Sequence, residues 1–140
     1  MWLLGRAYLN YSAVLQILLN DAGIGHVRPG MGHVLFALYE TDGLAQTELG
    51  AKTGLAPSSI TELIQRMHRA GLVEKTRDRT DRRITRITLT AAGRKLQPKC
   101  NAVSDRLRTI IDDGISPGDG VALRVVLTRV VHNLKKHLAD

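Results

Sequence analysis

Residues 55–90, LAPSSITELIQRMHRAGLVEKTRDRTDRRITRITLT, constrain this chain more than any other stretch. A short amphipathic helix pattern runs directly into two β-rich segments, and the loop between those segments is strongly basic. That order sets one polar helix face beside one cationic finger. Between positions 75 and 86 lie Lys75, Arg77, Arg79, Arg82, Arg83 and Arg86 against Asp78 and Asp81, a net +4 that is more than half of the chain's +7. A solvated charge run is the ordinary reading of such a cluster, but this one sits between two strand patterns just after a helix. The pairing fits a nucleic-acid groove and its flanking phosphates better than a small substrate, and the overall charge favours an anionic partner.

At 140 residues the chain is read as one domain, 1–140, able to bury roughly 70% of the surface its unfolded form exposes. Cys100 is the sole cysteine, which excludes an intramolecular disulfide and a secreted disulfide scaffold. The opening stretch MWLLGRAYLNYSAVLQILLN has neither a basic leader nor a small-residue cleavage site. Arg6, Asn10 and Gln16 interrupt it short of a spanning length. It is expected to be an amphipathic helix of a cytoplasmic protein with no membrane partner.

Leu3, Leu4, Ala7, Tyr8, Tyr11, Val14, Leu15, Leu18 and Leu19 recur at helical spacing, so a first helix is expected to end near Gly23 or Gly25. Pro29 opens a second, stopped by Asp42–Gly43. A third runs over about 45–53 to Gly54, and Pro57 takes the first helical position of a fourth that Gly71 ends. Two short helices joined through Thr53-Gly54-Leu55-Ala56 form a helix-turn-helix. Leu72–Thr76 and Arg83–Leu89 then read as strands, the second from its period-2 alternation, and make a hairpin with the basic loop at its tip. Thr90 is the expected N-cap of a long helix ending at Asp113–Gly114, kinked or broken in its first turns by Pro98. Ser116, Pro117 and Asp119 open a final helix whose Lys135, Lys136 and His137 suit its C-terminal dipole.

Projected at about 100° per residue, the fourth helix has two faces. Ile60, Leu63, Ile64 and Met67 share the arc expected to pack inward. Ser58, Thr61, Glu62, Gln65, Arg66 and Arg69 share the opposite arc, with Ser59 nearby at the helix start. Those side chains can bond base edges or phosphates: Gln to adenine, Arg to guanine, Ser and Thr to either. A plain surface helix is similarly polar, but it lacks the accompanying turn and hairpin. Glu62 repels phosphate and is read chiefly as a partner for Arg66 at i, i+4. Arg79, Asp81, Arg82 and Arg83 form the hairpin tip, where an arginine can enter a narrow minor groove and Asp81 can order a neighbouring arginine. Lys75, Arg77 and Arg86 lie lower on the strands and are expected to meet phosphates, which fix position without specifying sequence.

These residues carry a resemblance. The run GLAQTELGAKTGLAPSSITELIQRMHRAGLVEKTRDRTDRRITRITLTAAGR resembles the core of the MarR family of winged-helix transcription regulators. The family's wing signature, Asp-x-Arg, five residues, then Leu-Thr, is matched in full by Asp81 through Thr90. LAPSSIT and RAGLVEK match the start of the recognition helix and the entry to the wing. The likeness extends over essentially residues 5–138. It implies a mainly α, α+β fold: a winged helix-turn-helix lobe over 29–90 with a two-stranded wing, and helical dimerisation regions at 1–25 and 91–140. It also implies that Arg83 is the minor-groove arginine and Asp81 its wing-ordering partner. Many members carry a basic residue where Glu62 stands, so base preference does not transfer there.

The resemblance further implies a homodimer, and both terminal helices are apolar over more than one stripe, which a monomer of this size struggles to cover. Twin reading helices predict a pseudo-palindromic site in double-stranded DNA. Members of the family often release DNA on binding a small phenolic or aromatic effector. Trp2, Tyr8 and Tyr11 are candidate lining residues for such a pocket, against plain core or interface packing. Cys100 is read as a buried structural cysteine rather than an oxidant sensor. His26, His33, His68, His132 and His137 are scattered without metal-ligand spacing, so neither metal nor cofactor is expected. No nucleophile–base pair, phosphate-binding glycine loop or paired carboxylates stand out, so an enzyme is not expected. The reading is a dimeric, sequence-specific DNA-binding regulator, most simply a repressor relieved by an effector. The alternative is a winged-helix adaptor docking an acidic protein, for which an arginine-depleted wing is expected.

Overall fold

The computed structural model describes residues 2–138; Met1, Ala139 and Asp140, at the ends of the 1–140 span, lie outside the described residues. Helix α1 spans Trp2–Asp21, α2 Pro29–Glu40, α3 Gln46–Thr53 and α4 Pro57–Arg69. Strands β2 (Val73–Arg77) and β3 (Thr85–Leu89) follow, then α5 (Ala91–Lys95), α6 (Gln97–Asp112) and α7 (Pro117–Lys136). A two-residue strand, β1 at Leu44–Ala45, pairs antiparallel with β3, so the sheet has three strands in the order β1-β3-β2. The sequence pattern predicts only two of these strands. Two residues are too few to show a strand period, and β1 exists only because β3 offers its free edge.

The helix boundaries follow local chemistry. Pro29, Pro57 and Pro117 each occupy the first turn of a helix, where a missing N–H costs nothing. Glu48 reaches back to the Ala45 amide (2.7 Å) and caps α3. Gly54 ends α3 with φ 70°, a left-handed conformation that a side chain resists, and so lets the chain turn into α4 three residues later. Thr90 accepts from the Gly93 amide at the start of α5, and Ser116 does the same from Asp119 at α7. The expected break at Pro98 is observed: α5 stops at Lys95 and α6 restarts at Gln97. Pro98 has no N–H to give the Arg94 carbonyl, and its ring crowds that oxygen.

The described residues group into two compact units, one through Ser104 and a second from Asp105, so the division falls within α6. In the first unit Val34, Leu35, Leu38, Leu49, Ile60, Ile64, Met67, Val73 and Ile87 are fully buried around α2, α3, α4 and the sheet. Three bonds tie the end of β3 and the start of α5 to α2 and the turn after it. Asp42 accepts from the Leu89 amide (2.9 Å) and pairs with Arg94 (2.5 Å), while the Tyr39 hydroxyl donates to the Gly93 carbonyl (2.9 Å). In the second unit α7 buries none of its side chains, and Val121, Val126, Val131 and Leu134 are each more than half exposed. No helix among the described residues is long and apolar enough to cross a membrane.

Candidate nucleic-acid interface

Helix α4 is divided as its periodicity predicts. Ile60, Ile64 and Met67 are buried and Leu63 half-buried, while Ser58, Ser59, Thr61, Glu62, Gln65, Arg66 and Arg69 are all exposed. Burial of the apolar arc against α2 and α3 fixes the rotation of the helix, and that fixes which side chains face outward. Arg66 and Glu62 form the expected i, i+4 ion pair. Thr61 differs from the expectation of a free hydroxyl: it donates to the Pro57 carbonyl (3.0 Å) and accepts from Gln46 on α3 (2.8 Å).

The wing is ordered by its two aspartates. Asp81 accepts from the Arg83 amide (3.0 Å) and holds the Arg83 guanidinium through two bonds of 3.1 Å, from Nε and Nη2. The side chain of Arg83 is nonetheless 91% exposed, so its orientation is set while its outer face stays free. The Arg83 bonds hold the Asp81 carboxyl below the usual aspartate range, and Asp81 in turn raises the Arg83 guanidinium further. Arg77 donates to the Arg82 carbonyl (3.1 Å) across the loop. Lys75, Arg79 and Arg82 are exposed as expected.

Arg86, expected to meet phosphate, has partners within the chain. It is half-buried, donates to Asp78 (3.2 Å) and to the Gly43 carbonyl (3.0 Å), and so braces the wing root. Asp78 is the residue that sequence reasoning missed. It is the one buried charged side chain among the described residues, and it gathers Arg86, the Thr80 amide and the Thr80 hydroxyl. Burial pushes its carboxyl up, but these hydrogen bonds outweigh that and hold it below the ordinary value. In the sequence Asp78 looks like a charge offset among arginines. No local period marks it, because its partner is eight residues away across the hairpin.

His68 is a second omission. Its Nδ1 lies 3.0 Å from the Val73 carbonyl, which can only accept, so Nδ1 is the donor in this contact. With Gln65, Arg69 and Lys75 it lines a shallow cleft of about 260 Å³ between the exposed face of α4 and β2. Exposed amide donors on a helix, a cationic cleft at its flank and a fixed arginine on the wing together present donors and positive charge to one polyanion.

The remaining candidates sit apart. Trp2 and Tyr8 stand out from α1, Trp2 under the Arg6 guanidinium at 4.6 Å, and Tyr11 is half-buried, so Trp2 and Tyr8 are not core aromatics of this chain. Cys100 is buried, as expected of a structural cysteine, and desolvation pushes its thiol up. Tyr39 is raised too, first by burial and then by its neighbour Cys100. No group of three or more His, Cys, Asp or Glu among the described residues is arranged to hold a metal ion.

A helix-turn-helix that feeds a twisted hairpin whose tip carries an ordered arginine is a winged helix-turn-helix. Residues 32–84 match the model of the MarR family. The segment is similar to the HTH-type transcriptional regulator TtmR of Methylorubrum extorquens (strain PA1), 37% identical over 70 residues, which are 50% of this chain and 36% of that protein. The matched parts of the curated relatives span half of their length or less. Similarity to solved structures runs over nearly the whole chain. The PcaV transcriptional regulator of Streptomyces coelicolor in complex with its natural ligand superposes with a TM-score of 0.83 at 25% identity, covering 93% of this chain and 89% of that one. CouR of Rhodococcus jostii RHA1 bound to p-coumaroyl-CoA gives 0.76 at 28% identity, covering 92% and 89%. The chain therefore carries a segment similar to the MarR family over residues 32–84, within a fold shared with MarR-type transcriptional regulators.

Proposed function

We propose that this protein is a cytoplasmic, homodimeric, sequence-specific DNA-binding transcriptional regulator, a repressor relieved by a small aromatic or phenolic effector. Helix α4 enters the major groove and Arg83 the adjacent minor groove, while Lys75, Arg77, Arg79, Arg82 and the His68 cleft meet phosphates. Arg86 supports the wing instead of touching DNA. One observation carries the reading: Arg83 is exposed yet held by two bonds to Asp81, beside a helix whose outward arc is wholly polar. A protein-docking adaptor has no use for an ordered, solvent-facing arginine at the tip of a thin loop. A regulator that positions it in a narrow, strongly negative groove does. The family and fold support a non-enzymatic role.

Dimerisation rests on the uncovered apolar surface. A twenty-residue helix with no buried side chain and a row of half-exposed valines and leucines needs a cover, and a second copy supplies one. A two-fold pair then presents two α4 helices to successive major grooves about 34–36 Å apart, on a pseudo-palindromic operator. The effector follows from the neighbours: PcaV is described with its natural ligand and CouR with p-coumaroyl-CoA. Trp2, Tyr8 and Tyr11 remain the candidate lining residues, once a partner covers α1.

The test is selection of bound fragments from random DNA, followed by titration of the selected site over a range of salt. Log K is expected to fall against log salt with a slope near −0.9 per neutralised phosphate. Arg83→Ala is expected to weaken operator binding by roughly ten- to a hundredfold with the dimer intact. A salt-independent affinity, or wild-type affinity in Arg83→Ala, refutes the assignment.

A further inference from the structure

We propose that Thr61 reads a thymine in the operator through its methyl group, with Gln46 on α3 acting as the positioning residue that locks it. The inference deepens, and rests on, the placement of α4 in the major groove. Thr61 sits in the second turn of α4, on the same outward arc as Ser58 and Gln65. Side chains in the N-terminal half of a reading helix are those that reach base edges.

A threonine hydroxyl has one hydrogen to give and two lone pairs. The hydrogen of Thr61 goes to the Pro57 carbonyl at 3.0 Å, and one lone pair receives Gln46 Nε2 at 2.8 Å. The hydroxyl therefore has no proton left for purine N7, guanine O6 or thymine O4. The bond to the carbonyl four residues back also draws the oxygen toward the helix backbone. Cβ carries only one other branch, the methyl, and neither partner engages it. Threonine methyls and the thymine 5-methyl form the apolar contact by which the major groove distinguishes T from the other bases.

Gln46 gives the contact its precision. It is the first residue of α3, half-buried, and lines the groove between α3 and the wing with Thr47, Arg83 and Ile84. Its bond crosses from one helix of the turn to the other, so the Thr61 rotamer is clamped from its own backbone and from a separate element. An unclamped threonine in a helix divides between two rotamers. Clamping removes that freedom before DNA arrives, so less ordering remains to oppose the contact.

The experiment uses the full-length protein and its selected operator, with each thymine replaced singly by deoxyuridine, which keeps every hydrogen-bonding group and lacks only the methyl. At one thymine per half-site the wild type is expected to lose about fourfold in affinity, the value of one methyl-sized apolar group removed from water. Thr61→Val, which keeps the methyl, is expected to retain that loss. Thr61→Ser, which keeps the hydroxyl, is expected to bind the thymine and deoxyuridine sites equally. Gln46→Ala is expected to shrink the discrimination without moving it to another position. Serine, valine and threonine differ little in helix propensity, and the site is exposed, so the variants fold.

A preferred operator whose thymines are all indifferent to methyl removal overturns this inference and leaves DNA reading by α4 standing. Retention of the preference in Thr61→Ser with its loss in Thr61→Val also overturns it, because the thymine methyl is then read by another side chain that depends on the Thr61 hydroxyl. Failure of the wild type to select any site removes both the inference and the functional reading beneath it.

Discussion

Gly93→Ala is expected to destabilise the protein although it places a better helix former inside a helix. Gly93 lies in α5 with no positive φ, so its backbone conformation does not call for glycine. Space does. A Cβ built at Gly93 falls 2.3 Å from the Leu72 carbonyl oxygen and 3.2 Å from Leu89 Cδ2. A carbon–oxygen contact needs about 3.3 Å, so backbone must yield by about 1 Å. The Leu72 oxygen is not free to do so: it accepts the Thr90 amide at 3.1 Å and sits just before β2. Moving α5 instead stretches the Tyr39 bond to the Gly93 carbonyl. Overpacking of this kind costs about 1–3 kcal/mol, and a strained hydrogen bond adds about 1 kcal/mol. Helix propensity offsets these by about 1 kcal/mol. The net loss is about 1–3 kcal/mol, with a fall in Tm of about 3–5 °C for each kcal/mol at this chain length. Urea and thermal unfolding measure it directly. Leu72 and Thr90 are the two roots of the wing, so operator affinity is expected to fall alongside stability. Gly93→Ala as stable as the parent, or more stable by the propensity gain, refutes the steric argument.

Asp78→Asn removes the charge that holds Arg86 and is expected to lower amide-exchange protection across 78–84 and weaken DNA binding by roughly tenfold, the scale of a lost charged hydrogen bond; unchanged protection counts against the brace. The Asp78 carboxyl is depressed in the folded protein, so its contribution is present above the unfolded value of about 3.9 and lost as pH falls through the lower folded value. Wing protection should therefore be level from pH 5 to 8, by about one unit or more of margin, and fail only in stronger acid; a midpoint near pH 6 contradicts this. Cys100, buried and pushed up, should resist thiol reagents at pH 8 except at the rate of unfolding, and rapid stoichiometric labelling places it at the surface instead. Val131→Glu on α7 should raise the dimer dissociation constant by at least about tenfold in sedimentation equilibrium, since a carboxylate cannot enter an apolar seam unpaired. An unaltered constant removes that face of α7 from the interface.

Much of this molecule is written in neighbouring residues. The prolines at 29, 57 and 117, the caps Thr90 and Ser116, and the break at Pro98 act over at most one helical turn, so reading them in order is enough. The arc of Ile60, Ile64 and Met67 is a period, and a period survives without knowledge of what it packs against. That Asp81 orders a neighbouring arginine is legible for the same reason, while the choice of Arg83 is what the family resemblance implies.

Other features depend on closure of the chain. Strand β1 is two residues that become a strand only when β3 arrives beside them, from over forty positions away. Arg86 looks like one more phosphate-binding arginine until Asp78 and Gly43 are brought to it, and Thr61 like one more hydroxyl donor until Gln46 reaches across from α3. Gly93 is a helix-weakening residue in one dimension and the only residue that fits in three. Short-range preferences and hydrophobic periodicity are properties of a segment, so the sequence alone set the helices, the two wing strands, the outward arc of α4 and the cationic tip. Whether a polar group is free or already bonded is a property of the folded neighbourhood, and that decided which of these residues remain available to a partner.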